Sequence, residues 1–256
     1  MTLDVNTLAP PLAPSAPASE AELRVDLAAC YRLIAHFGMD DTIYTHITAR
    51  VPGGGHGFLI NPYGMAFDEI TASSLVKIGI DGEKLEASPW PVNPPGFVIH
   101  SALHMGRADA GCVIHTHTVA GMAVAATEQG LLPLSQWALE FHDRLAVHDY
   151  EGIATDLDER ERLVRDLGAR NAMLLRNHGL LTVGRTVAEA FYFMYYLEHA
   201  CRVQLAAQSS GAALRPVGPN LAEHVAQQCE VGAGKGERLW RAMRRKLDRL
   251  DPSYRV

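Results

Sequence analysis

The sequence predicts one α/β domain followed by a C-terminal helical extension. Strand-like and helix-like periodicities alternate from Ser19 to about Gln208, no internal repeat is visible, and 256 residues suit one large domain or two small ones. The expected organisation is a flexible tail over residues 1–18, a main domain over 19–215 and an extension over 216–256.

The tail is rich in Pro, Ala and Ser. Ser19 and Glu22 form a capping-box pattern, and Leu23, Leu27, Cys30, Tyr31, Ile34 and Phe37 follow at helical spacing until Gly38 ends the run. Thr42 to Arg50 reads as a strand. A Pro-Gly-Gly-Gly turn at 52–55 leads to a second strand, Gly57 to Ile60, and Val76 to Ile80 forms a third, closed by Asp81-Gly82. Phe97 to Met105 reads as a helix with His100 and His104 on one face. Cys112 to His117 is a short apolar strand and Thr118 to Gln129 a helix of small residues. Arg144 to His148 and Ala172 to Arg176 are strands on either side of a charged amphipathic helix, Asp158 to Leu167. Thr186 and Glu189 form a second capping box, opening a long helix to about Gln208. Residues 209–220 carry two prolines and two glycines and read as a loop, and a last helix runs from about Glu237 to Leu250.

Composition excludes several functions. A net charge of −6 argues against a nucleic-acid partner, and the one basic cluster, Arg241, Arg244, Arg245, Lys246 and Arg249, decorates a solvated helix face. The four cysteines form no Cys-x-x-Cys pair and read as reduced thiols of a cytoplasmic protein. No secretory signal or stretch of about 20 apolar residues is evident, so no membrane contact is expected. Gly232-Ala233-Gly234-Lys235-Gly236 lacks the preceding strand and the following Ser or Thr of a phosphate loop.

The chemistry concentrates in Val113-Ile114-His115-Thr116-His117. Residues i and i+2 of a strand face the same side, so His115 and His117 converge. His178, in Arg176-Asn177-His178-Gly179, also follows a strand. Three imidazoles with an open position suit a catalytic divalent ion, although His-x-His alone also fits hydrogen-bonded core histidines.

Residues 20–208 resemble the class II aldolase/adducin family. The likeness is carried in order by Ile43-Tyr44-Thr45-His46-Ile47-Thr48, Thr71-Ala72-Ser73-Ser74-Leu75-Val76-Lys77-Ile78 and Gly96-Phe97-Val98-Ile99-His100-Ser101-Ala102. It continues through the His-x-His segment, Gly130-Leu131-Leu132-Pro133-Leu134-Ser135, His148-Asp149-Tyr150, Arg176-Asn177-His178-Gly179-Leu180 and Glu189-Ala190-Phe191-Tyr192. The wording is closest to the adducin head and its bacterial relatives. The resemblance implies a layered α/β/α domain around a mainly antiparallel sheet. It also implies a metal, zinc first and Fe2+, Mn2+, Co2+ or Ni2+ otherwise, on His115, His117 and His178, and a homotetramer with sites between subunits.

Departures from the aldolase pattern are equally informative. The catalytic glutamate position falls on Gly96, after Pro94 and Pro95; the phosphate turn reads Asn61-Pro62-Tyr63-Gly64; the proton-donating tyrosine aligns near Trp137. Proline lacks an N–H and indole has no useful proton near neutral pH, so the apparatus for phosphorylated ketoses is missing. His100, Tyr150 and Glu140 are the candidates for acid/base work, and His46, Asn61, Trp137 and His142 for substrate contacts. The expected function is a metal-dependent C–C lyase, of aldolase or decarboxylase type, acting on an unphosphorylated hydroxy or oxo acid through a metal-bound enolate. A three-histidine Fe(II) oxygenase and a non-catalytic adducin-like scaffold are the alternatives.

Overall fold

The computed structural model describes residues 19–53, 57–152, 158–230 and 234–256. The tail expected over residues 1–18 lies outside these, as do parts of the 52–55 turn and of the glycine-rich segment before Lys235.

A seven-stranded sheet carries helices on both faces, the layered α/β/α arrangement expected from the sequence. Its strands are β1 (His46–Arg50), β2 (Gly57–Ile60), β3 (Val76–Gly79), β4 (Cys112–Thr116), β5 (Leu145–His148), β6 (Ala172–Leu175) and β7 (Gly179–Gly184). They run in the order β3-β2-β1-β4-β7-β6-β5. Every pairing is antiparallel except β5 with β6. The central β4, β6 and β7 are short and buried on both faces, which is why they read as apolar runs.

On one face lie α1 (Glu20–His36), α3 (Val119–Ala125), α6 (Val187–Ser209) and α8 (Glu237–Leu250), sharing one large core with β1, β4 and β7. On the other, α2 (Pro94–Gly106) and α5 (Glu159–Leu167) cover a second cluster built on Val113, Met173, Leu181 and Val183. Ser19 caps α1 by accepting from the Glu22 amide, and Thr186 caps α6 by accepting from that of Glu189.

The structure corrects four elements of the sequence reading. The strand expected from Thr42 starts only at His46, because Thr42 and Thr45 adopt φ of 54° and 64° and turn the chain. β7, to which the sequence reading assigns no element, is a central strand. Two helices absent from that reading are present: α4 (Gln136–Leu139), capped by Ser135, and α7 (Pro219–Cys229), which begins inside the expected 209–220 loop with Pro219 in its first turn. The long α6 is covered within the chain by β7, α3, α4 and α8.

Residues 216–256 are integral to the main core: Trp240, Leu247 and Tyr254 are buried in it. Cys30, Cys112 and Cys201 are buried free thiols and Cys229 is half-buried. Among the described residues, no helix is long and apolar enough to cross a membrane.

Candidate metal centre

Three backbone features bring the histidines together. β4 delivers His115 as its penultimate residue and His117 just beyond its end. The turn between β6 and β7 delivers His178, whose amide bonds the Leu175 carbonyl while Asn177 takes a φ of 56°. Gly179 lets β7 close on β4 at this level: a Cβ there would lie 2.3 Å from the Thr116 carbonyl oxygen and 3.3 Å from His117 Cδ2. As a result one ring nitrogen from each of His115, His117 and His178 lies within 4.8 Å of the others. The ring centroids stand 4.6, 4.7 and 4.9 Å apart.

The protons in this cluster can be assigned. His115 Nδ1 donates to the Leu180 carbonyl at 2.9 Å, and His117 Nδ1 to the Asp41 carboxylate at 3.0 Å. Both Nδ1 atoms face acceptors only, so in neutral rings both Nε2 atoms are bare, and they lie 2.9 Å from each other. Two lone pairs in that position repel unless a cation draws on both. Burial holds His115 unprotonated, its pKa well below the ordinary value, and lowers His178 to about 4, with the neighbouring His117 adding to the effect. Three imidazoles that bring ring nitrogens to one point, two of them oriented by outer acceptors, fit a late first-row divalent ion.

His46, opposite His115 in the β1–β4 ladder, lies 6.1 Å from it by ring centroid; burial lowers it to about 3, and its Nδ1 has no hydrogen-bond partner. His100 follows at 5.3 Å from His46, fully buried, with Nε2 unpartnered. Tyr150, just past β5 and 54% exposed, sits 6.1 Å from His178 at the open lip. Asn61, just past β2, is buried, its Oδ1 accepting from Tyr31 Oη at 2.9 Å.

The other three candidates are not drawn into this cluster within one chain. Trp137 packs on Tyr196 and His199 of α6. Glu140 does not stand free in a pocket, as its place after Trp137 suggested: it is buried, accepting from Tyr192 Oη at 3.0 Å and pairing with Lys235 at 2.5 Å. His142 lies 3.7 Å from Asp143. Sequence reasoning overlooked Asp41, Thr48 and the β7 carbonyl, since nothing in their local pattern marks them as partners of distant histidines.

Residues 25–205 match the family model described as Class II Aldolase and Adducin N-terminal domain. The chain belongs to the class II aldolase and adducin family. A Caulobacter vibrioides protein provisionally named an aldolase class 2 protein is 52% identical over 92% of this chain and 93% of its own length. Mouse alpha-adducin is 40% identical over 90% of this chain, which spans only 34% of that protein. Among solved structures, an aldolase II superfamily protein from Pseudomonas syringae superposes with a TM-score of 0.89 at 49% identity, covering 94% of this chain and 98% of the other. L-fuculose 1-phosphate aldolase from Glaciozyma antarctica follows at 0.82 and 28%, covering 95% and 97%. The chain begins α2 with Pro94-Pro95-Gly96, so no carboxylate stands in the first turn of that helix.

Proposed function

We propose that this protein is a divalent-metal-dependent C–C lyase, of aldolase or decarboxylase type, acting on an unphosphorylated hydroxy or oxo acid. The observation that carries the reading is the convergence of three imidazole nitrogens within 4.8 Å, two of them oriented from behind by acceptors. His115, His117 and His178 would hold the ion, zinc first, with Fe2+, Mn2+, Co2+ or Ni2+ as alternatives. Such an ion supplies Lewis acidity, which lowers the cost of negative charge on a substrate oxygen as a C–C bond breaks.

The chain's own groups then divide the remaining work. His100 takes the acid/base role in place of the missing carboxylate, since its Nε2 is buried and uncommitted. Tyr150, exposed beside His178, is placed to hand a proton to a carbanion forming at the lip. His46 lines the floor between them. Tyr44 and Tyr63, whose rings lie 6.3 Å apart, offer an apolar flank for an aromatic acid. Homotetramer formation in the cytoplasm, with sites near subunit contacts, is part of the same reading. The exposed Val119 and Trp137, on α3 and α4, are the surfaces that would meet a partner.

Proton NMR in D2O tests this without knowledge of the full substrate. The zinc-loaded protein should exchange or release the α-carbon protons of a hydroxy- or oxo-acid panel, and chelation should abolish it. It should cleave fuculose-, rhamnulose- and ribulose-phosphates negligibly. Turnover of these phosphates on the order of 1 s⁻¹ would refute the substrate class. The 40% identity to alpha-adducin favours one second reading, a non-catalytic scaffold, which metal binding without exchange or cleavage across the panel would support. Oxygen consumption by the Fe(II)-loaded protein would instead point to an oxygenase.

A further inference from the structure

β1 carries a polar stripe through a buried sheet. His46, Thr48 and Arg50 alternate along one face, the one under α2, while Ile47 and Ala49 on the other join the large core. Thr48 is fully buried, and its single hydroxyl meets two histidines of α2: His100 Nδ1 at 2.7 Å and His104 Nε2 at 2.8 Å. His104 Nδ1 in turn lies 2.9 Å from the Ala110 carbonyl.

The order of protons along this chain is forced. A carbonyl only accepts, so His104 carries its proton on Nδ1 and donates to Ala110. Burial lowers His104 to about 4, helped by the Arg50 guanidinium, so the ring is neutral near pH 7 and its Nε2 is an acceptor. The Thr48 hydroxyl has one proton and spends it on that acceptor. Thr48 Oγ1 can then only accept from His100, which puts the His100 proton on Nδ1. What is left is His100 Nε2, a bare lone pair in a buried position with no partner, beside His46. A buried acceptor without a donor is costly, so a ligand that donates there gains by relieving it.

We propose that Thr48 and His104 are positioning residues that lock His100 as its Nδ1–H tautomer, so that Nε2 accepts a hydrogen bond from a substrate hydroxyl and turns away carboxylate and phosphate oxygens. The hydroxyl is the group this subsite selects. An oxygen that only accepts finds a second acceptor there and no proton to bind. The catalytic use of that hydrogen bond rests on the lyase reading above; the tautomer and the preference for a donor do not.

Neutron diffraction from deuterium-exchanged crystals of the zinc-loaded protein reads the proton positions directly. In the wild type and in Thr48→Ser, deuterium is expected on His100 Nδ1 and absent from Nε2. In Thr48→Val, which keeps the shape and loses the acceptor, the Nδ1 deuterium should be lost or moved to Nε2, while zinc content stays at about one per chain. Soaking with millimolar sulfate, whose oxygens carry no proton near neutral pH, should leave no anion at His100. Deuterium on Nε2 of the wild type, an unchanged Nδ1 deuterium in Thr48→Val, or sulfate seated against Nε2 would each overturn the proposal. Should Thr48→Val fail to fold, the wild-type and Thr48→Ser maps still decide it. A bare Nε2 in a protein without lyase turnover would uphold the tautomer and remove only the lyase reading.

Discussion

At the residue scale, the centre depends on which nitrogen of each histidine is free. His117 offers Nε2 because Asp41 holds Nδ1 at 3.0 Å, and a charged acceptor makes the imidazole a stronger ligand than a neutral one does. Asp41→Asn keeps an oxygen of similar size and removes the charge. Its expected effect is a loss of about 10–100-fold in metal affinity with little change in fold. Competition against a chromogenic chelator measures this, and unchanged affinity would remove Asp41 from the site. The clustering of His115, His117 and His178 was legible because His-x-His and a strand-end histidine are local patterns. Asp41 was not, because its reach to His117 depends on a loop turned by Thr42 and Thr45, both left-handed. Threonine rarely adopts that conformation, and Thr42-Ile43-Tyr44-Thr45 looks like a strand in sequence.

At the element scale, the cluster depends on how closely β4 and β7 approach. Their pairing sets His115 opposite Leu181 and brings the Leu180 carbonyl to His115 Nδ1. Gly179→Ala would put a methyl group 2.3 Å from the Thr116 carbonyl oxygen, against backbone that cannot yield without parting the strands. A destabilisation of roughly 1–3 kcal/mol is expected, with a fall in bound metal because His117 is displaced as well. Thermal unfolding with metal analysis of the same sample reads both; a variant with wild-type stability and occupancy would contradict the close-approach argument. β7 has no counterpart in the sequence reading, yet the run Leu180-Leu181-Thr182-Val183 between two glycines is a buried strand. α7 was hidden by Gly218-Pro219, read as loop although proline is favoured in a helix's first turn. By contrast β2 and α8 match their expected bounds, since a glycine-bounded apolar run and a strongly amphipathic repeat are both decided locally.

At the scale of the whole molecule, the buried histidines set the pH response. His46 is lowered to about 3 and His104 to about 4, and His100 and His115 lie well below the ordinary 6.5, in each case chiefly by burial. The folded state keeps these rings neutral, whereas the unfolded chain takes up protons from about pH 6.5 downward. Their contribution to stability is therefore complete above that pH and is lost as pH falls toward 4 and below. Each ring contributes a slope of about 1.4 kcal/mol per pH unit in that window. Urea unfolding of the chelator-treated protein between about pH 7 and about pH 5 should show a steep fall in midpoint. A flat profile would mean that burial does not hold these imidazoles neutral in the folded state.

The loops at the ends of β1, β4, β5 and β6, distant in sequence, meet at one point, and the convergence has a direct chemical test. Elemental analysis of protein purified without added metal, alongside the His115→Ala variant, measures it. About one divalent ion per chain is expected in the wild type, and its loss in the variant, since two of three ligands leave too weak a chelate. Full occupancy in His115→Ala would contradict the assignment of this cluster as the metal centre.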